Sequence, residues 1–149
     1  MHFSCCIWAL TGPEEENLQK MSELGFSWID IQPSMLVTAA SQAQARALGL
    51  AVSCVGVSFG LPDGATLDSP DAAQRDAALA HMERSLAHAA SLGAKSAYVI
   101  PGMNGSKEAL RRYGDSVAAT AEMAQKHGLT LGIEHFPARR WTQPRPLWN

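Results

Sequence analysis

A single local pattern recurs along the chain: a helical stretch closes at a glycine, and a β-rich apolar run begins within a few residues. The closing glycines are Gly25, Gly49, Gly93 and Gly128. Glycine suits that place because helices commonly end on a left-handed residue, a conformation that costs glycine least. The runs that follow are Trp28-Ile29-Asp30-Ile31, Val52 to Val57, Ala97-Tyr98-Val99-Ile100 and Thr130-Leu131-Gly132-Ile133-Glu134. With Phe3 to Leu10 at the front, the pattern predicts five strands.

The intervening stretches carry the 3.6-residue apolar period of helices that pack on a sheet. In the first, Gly12-Pro13 makes a suitable start and Leu18, Met21 and Leu24 share a face. The second, about Val37 to Leu48, is alanine-rich. The third, about Asp71 to Leu92, aligns Leu79, Met82, Leu86 and Ala89. Ser106 is placed to cap the fourth, whose expected buried stripe is Leu110, Tyr113, Val117, Ala121 and Ala124. Strands alternating with helices imply parallel pairing through right-handed crossovers, hence the α/β class.

An open doubly wound sheet and a closed barrel both satisfy that order, and strand parity separates them. Ile29 and Ile31 oppose Asp30 and Gln32; Val55 and Val57 oppose Cys54, Gly56 and Ser58; Leu131 and Ile133 oppose Gly132 and Glu134. A sheet covered by helices on both sides is apolar on both faces. One apolar face and one small or polar face fits helices outside and a barrel interior inside. The expectation is therefore parallel (β/α) repeats forming part of a TIM barrel, about five strands and four helices, over residues 1–136, followed by an irregular tail at 137–149.

Composition narrows the function classes. At 149 residues the chain has room for one domain with a core, since a domain of about 150 residues buries roughly 70% of its unfolded surface. The formal net charge of −2, with Lys and Arg scattered along the helices, argues against a nucleic-acid surface. Three cysteines, two of them the adjacent Cys5 and Cys6, do not read as a disulfide framework. The start lacks the pattern of a secretory signal, and no apolar run approaches the ~20 residues of a membrane span, so the expected location is the cytoplasm.

Leu10-Thr11-Gly12-Pro13, after the first strand, lacks the spaced glycines of a dinucleotide fingerprint, and neither a phosphate loop nor a nucleophile elbow occurs; no nucleotide cofactor is expected. What remains is polarity at the strand ends, where ligands bind in both candidate folds. Glu134 ends an apolar strand on its small-residue face, where a carboxylate needs a cation or hydrogen bonds. It is the candidate catalytic residue. Asp30 is placed similarly, either bonded to a loop amide or touching substrate. His135 points to the opposite side of a regular strand, which fits a structural role, and stands beside Asp30 as the other candidate substrate contact. His81 and His88 lie off the apolar stripe of the third helix and are expected in solvent; Cys54 reads as a small core residue.

Three segments resemble the xylose-isomerase-like TIM barrels, a group that includes metal-dependent sugar isomerases and epimerases. Gly25 to Ile31 is similar to the family's second strand, where a Glu often takes the place of Asp30; Leu92 to Gly102 is similar to the fourth strand and preceding turn. Gly128 to His135 is similar to the fifth, whose terminal Glu is the first metal ligand; His135 stands where the family often has Asn. The resemblance implies a divalent metal (Mn, Mg or Zn), with Glu134 as the one ligand that carries over, and a sugar or sugar phosphate with a hydroxy-carbonyl group as substrate. It implies isomerase or epimerase chemistry by proton abstraction beside a carbonyl. The remaining ligands of that family come from later strands, so the expectation is a truncated barrel enzyme. The alternative is a non-catalytic half barrel that pairs with a second copy or a complementing chain, because an unclosed sheet exposes edges and apolar surface. A related DNA endonuclease is disfavoured by the charge.

Overall fold

The starts of three of the helices show how local sequence builds the structure. In the computed structural model, which describes residues 3–102 and 104–134, the side chains of Thr38, Asp71 and Ser106 accept hydrogen bonds from the main-chain N–H groups of Ser41, Ala73 and Ala109. These bonds satisfy donors that the first helical turn cannot pair internally. The helices they open are α2 (Ala39–Ala47), α3 (Ala72–Ser91) and α4 (Lys107–Lys126); α1 (Glu14–Glu23) starts behind Pro13. All four expected closing glycines have positive φ, between 70° and 82°.

The strands are β1 (Ser4–Cys6), β2 (Trp28–Ile31), β3 (Ala51–Gly56), β4 (Ser96–Val99) and β5 (Thr130–Ile133). They lie in the order β1-β2-β3-β4-β5, every pair parallel. That order decides between the two architectures. A doubly wound sheet reverses direction at a switch point, whereas here each right-handed crossover advances the same way and leaves its helix on the same face. The result is five strands and four helices of a TIM barrel.

Pairing register sorts side chains into layers, because paired residues on neighbouring parallel strands point to the same face. Ile31, Val55, Ala97 and Leu131 form one row facing the helices, and the strand residues Ile29, Val52, Val55 and Val99 join Leu18, Met21, Met82, Leu86 and Ala89 in the core. The opposite, concave face carries Cys6, Asp30, Cys54, Ser96 and Thr130 in one row, and Gly56, Tyr98 and Gly132 in the next. Between β2 and β3 the register slips: Ile29 pairs with Val52 but Asp30 with Cys54, so Ser53 is an extra residue. Bulges of this kind re-aim side chains and occur next to sites.

Several expectations need correction. The first strand ends at Cys6, and Ile7–Ala9 turn into a 3-10 helix that buries Ile7. In α3, Ala78 is buried and Leu79 only partly so; Leu24, at the end of α1, is exposed. The buried side of α4 is Ala109, Tyr113, Ser116, Thr120 and Ala124, while Leu110 and Ala121 are exposed. Ser116 and Thr120 are tolerated inside because their hydroxyls donate to the carbonyls of Leu67 (2.7 Å) and Ser116 (2.8 Å). His81 and His88 are not in open solvent. Each is half-buried and places Nε2 against a main-chain carbonyl, Phe59 at 2.8 Å and Met35 at 2.9 Å, tying α3 to the loops after β3 and β2.

The loop after β2 is pinned by Leu36, which is buried with a φ of 54°. Its N–H donates to Glu14 Oε2 at 3.0 Å and its carbonyl accepts from Gln42 Nε2 at 2.8 Å, bonds that hold a conformation L-residues rarely adopt. Among the described residues no helix is long and apolar enough to cross a membrane.

Candidate active site

The concave face carries polar side chains at the carboxyl ends of the strands, the end at which parallel α/β sheets bind ligands. A cleft of about 390 Å³ opens there, lined by Cys6, Trp8, Asp30, Tyr98, Gly132, Ile133 and Glu134. Two of the candidates drawn from the sequence, Asp30 and Glu134, thus meet in one cleft. The third, His135, lies outside the described residues.

Glu134 is carried to the cleft by the last bond of the β4–β5 ladder, its N–H donating to the Val99 carbonyl at 2.9 Å. Parity then sets its side chain on the face of Gly132, which pairs with Tyr98. Asp30 is oriented from both sides: Ser53 Oγ donates to Oδ1 at 2.8 Å and the Cys6 thiol donates to Oδ2 at 3.9 Å. Its partners are therefore side chains of the neighbouring strands rather than a loop amide. The Ser96 hydroxyl donates to the Ser53 carbonyl at 3.1 Å, fixing the bulge that delivers Ser53.

An aromatic row crosses the same region. The rings of Trp8 and Phe59 lie 4.9 Å apart and tilted, and Phe59 meets Tyr98 edge to face at 6.2 Å. Gly56 makes room for the row, since a Cβ there would lie 2.5 Å from the Phe59 ring and 2.9 Å from that of Tyr98. The indole N–H of Trp8 is buried with no hydrogen-bond partner among the described residues. Such a group is costly to leave unpaired, and the Trp8 side chain that carries it belongs to a residue lining the cleft.

Burial, and after it the charges of Cys6, once it ionises at high pH, and of Glu134, push the Tyr98 hydroxyl well above the ordinary tyrosine range. Burial and then Asp30 raise the Cys6 thiol; burial likewise raises Cys54, against a lowering hydrogen bond from Ser96. Phenol and thiols thus stay protonated at neutral pH. The cleft offers carboxylate acceptors from Asp30 and Glu134, a hydroxyl from Tyr98, and aromatic side chains from Tyr98 and Trp8, the Trp8 N–H lying buried behind it. That is the complement of a neutral molecule rich in hydroxyls.

The sequence reading found the carboxylates and missed Trp8, Tyr98 and Cys6. Parity within Ala97-Tyr98-Val99 was a usable signal for Tyr98. Trp8 had none, because it stands in the turn that replaces the expected continuation of β1. Cys54 is a half-buried free thiol on the concave face rather than a core residue. Among the described residues no group of three or more His, Cys, Asp or Glu side chains is placed to hold a metal ion.

Residues 18–146 match the family model described as xylose isomerase-like TIM barrel. No curated protein sequence matches the chain. Among solved structures, a D-psicose 3-epimerase crystallised in the presence of D-fructose superposes with a TM-score of 0.69 and 19% identity, over 89% of this chain and 52% of that one. A D-allulose 3-epimerase from Methylomonas sp. in complex with D-allulose gives 0.73 and 13% over 89% and 50%, and a protein from Sinorhizobium meliloti 1021 gives 0.72 and 22% over the same shares. The chain spans about half the length of these proteins, and the likeness is one of fold.

Proposed function

This chain belongs to the xylose isomerase-like TIM barrel family, and on that premise we propose that its concave strand ends bind a small sugar with a hydroxy-carbonyl group, in isomerase or epimerase chemistry. The observation that carries the reading is the meeting of Asp30, Glu134, Tyr98 and Trp8 in one cleft. Sugar 3-epimerases among the structural neighbours support it. Both charged groups of the cleft are carboxylates, which favours a neutral sugar over a sugar phosphate at this end of the site.

In this proposal Asp30, held by Ser53 and Cys6, accepts from substrate hydroxyls, while Tyr98 donates to a substrate oxygen. Glu134 takes the proton from the carbon beside the carbonyl. The electron pair left behind forms a carbon–carbon double bond and moves the carbonyl pair onto oxygen, giving an enediolate. Returning the proton to the same carbon from the other face yields an epimer; returning it to the former carbonyl carbon, with proton transfer between the oxygens, yields an isomer. His135, next in the chain, is a proposed substrate contact. A divalent metal, expected from the resemblance, finds no set of three donors among the described residues.

The test is exchange chemistry. The chain, with D-fructose in heavy water and with Mn2+, Mg2+ or neither, is expected to introduce deuterium beside the carbonyl, followed by proton NMR, and Glu134→Gln to lose the exchange. Exchange equal to a protein-free control, or unchanged in Glu134→Gln, would overturn the assignment. The three free thiols fit a reducing compartment, which supports the cytoplasm as the place of action.

A second reading, association with another copy or a complementing chain, is favoured by the edge strand β5, where Ile133 lies on the face that Val99 buries yet is 55% exposed. Mass in solution tests it: a monomer at micromolar concentration counts against it.

A further inference from the structure

A second cavity, sharing no residue with the first, lies between the loops that follow β3 and β4 and the helix α4. Its volume is about 580 Å³, within the range of about 300–1,000 Å³ typical of small-molecule sites. The walls include Leu61, Leu67, Ile100 and Pro101, and the polar groups Asp68 and Tyr113 line it.

Both residues are buried, and among the described residues neither side chain has a hydrogen-bond partner. Asp68 is 8% exposed, and among the described residues its carboxylate takes part in no hydrogen bond or ion pair. Arginines lie close by but serve the main chain: Arg112 Nε donates to the Asp68 carbonyl at 2.9 Å and Arg75 Nη1 to the Ser69 carbonyl at 2.7 Å. They fix the loop, and among the described residues neither pairs with the carboxylate. Tyr113 is 6% exposed, and its buried hydroxyl has no partner among the described residues. Burial, followed by the charge of Asp68, pushes that phenol up to about 12, so it is neutral and can both donate and accept.

The loop after β4 packs directly against the carboxylate at Gly102. A Cβ on Gly102 would lie 2.5 Å from Asp68 Oδ2 and 2.7 Å from its carboxyl carbon. Only a residue without a side chain lets the loop after β4 pass there.

We infer that this cavity is a binding site for a small organic amine in its protonated form. An ammonium group satisfies what the cavity leaves unmet: one N–H bonds the Asp68 carboxylate with opposite charge, another bonds the Tyr113 oxygen, and the hydrocarbon part covers Leu61, Leu67, Ile100 and Pro101. A neutral alcohol supplies hydrogen bonds without the charge, and a carboxylate ligand brings repulsion.

The experiment is an NMR titration of the full chain with 2-phenylethylamine hydrochloride, compared with 2-phenylethanol and phenylacetate. Saturable shifts at Ser69 and Gly102 are expected with the amine alone. Asp68→Asn is expected to weaken binding roughly tenfold or more, the effect of removing one member of a desolvated charge pair. Tyr113→Phe weakens it less, and Gly102→Ala removes it by placing a methyl against the carboxylate. Should Asp68→Asn fail to fold, the other variants decide. Equal binding of the alcohol, undiminished binding in Asp68→Asn or in both Tyr113→Phe and Gly102→Ala, or no saturable shift with the amine overturns the inference.

Discussion

Ser53 reaches Asp30 only because the β2–β3 register slips by one residue, and the resulting hydrogen bond from Ser53 Oγ to Asp30 Oδ1 is 2.8 Å long. The bulge therefore serves the site: it adds a donor beside a carboxylate without breaking the apolar row behind it. Ser53→Ala is expected to keep the fold, to cost about 1 kcal/mol in chemical denaturation, and to weaken sugar binding by freeing Asp30. Unchanged affinity for sugar in that variant would mean that Asp30 has no part in it.

Gly56 lies under the aromatic row. Adding a methyl there drives Phe59 and Tyr98 apart, since the nearest ring atoms would be 2.5 and 2.9 Å away. Gly56→Ala is expected to destabilise the chain by about 1–3 kcal/mol, the usual range for overpacking, and to change the near-ultraviolet circular dichroism of the aromatic cluster. A variant with wild-type stability and spectrum would contradict this packing.

The alkaline limb of stability follows from the tyrosines. Tyr98 and Tyr113 hold their protons above the ordinary value of 10.0, Tyr113 to about 12, mainly because burial disfavours the phenolate. The unfolded chain therefore loses these protons first as pH rises. Stability from this source is fully present below pH 10 and is lost as pH climbs from 10 towards and beyond 12. Urea denaturation across that range is expected to show a falling midpoint, shallower in Tyr113→Phe. A midpoint flat from pH 10 to 12 would contradict the burial of both phenols.

Much of the fold was legible because helix caps, closing glycines and strand parity are local signals. Thr38 went unnoticed, but Ser106 and the glycines stand where the chain pattern put them, and parity alone separated Ile29 and Ile31 from Asp30. The inner side of α4 was not legible. Its burial turns on Ser116 and Thr120, whose hydroxyls find carbonyls only once α4 lies against the loop carrying Leu67, a contact between residues far apart in sequence. The site divides the same way: carboxylates at strand ends show in the sequence, whereas Trp8 and the Ser53 bulge depend on how neighbouring strands pair.

Ser116→Ala leaves the Leu67 carbonyl without the hydroxyl that bonds it at 2.7 Å, and is expected to cost about 1–3 kcal/mol. Leu110→Ala, on the exposed side, is expected to cost much less. Equal losses in urea denaturation would mean that the helix is rotated from the position described.

The most direct test of the central claim, that the concave strand ends form a sugar site around Glu134, is an amide NMR titration of the chain with D-fructose, observing the main-chain signals of Asp30, Tyr98 and Gly132. The account predicts saturable shifts at these residues that are lost in Glu134→Gln and weakened in Asp30→Asn. Shifts absent in the wild-type chain, or the same in all three proteins, would contradict it.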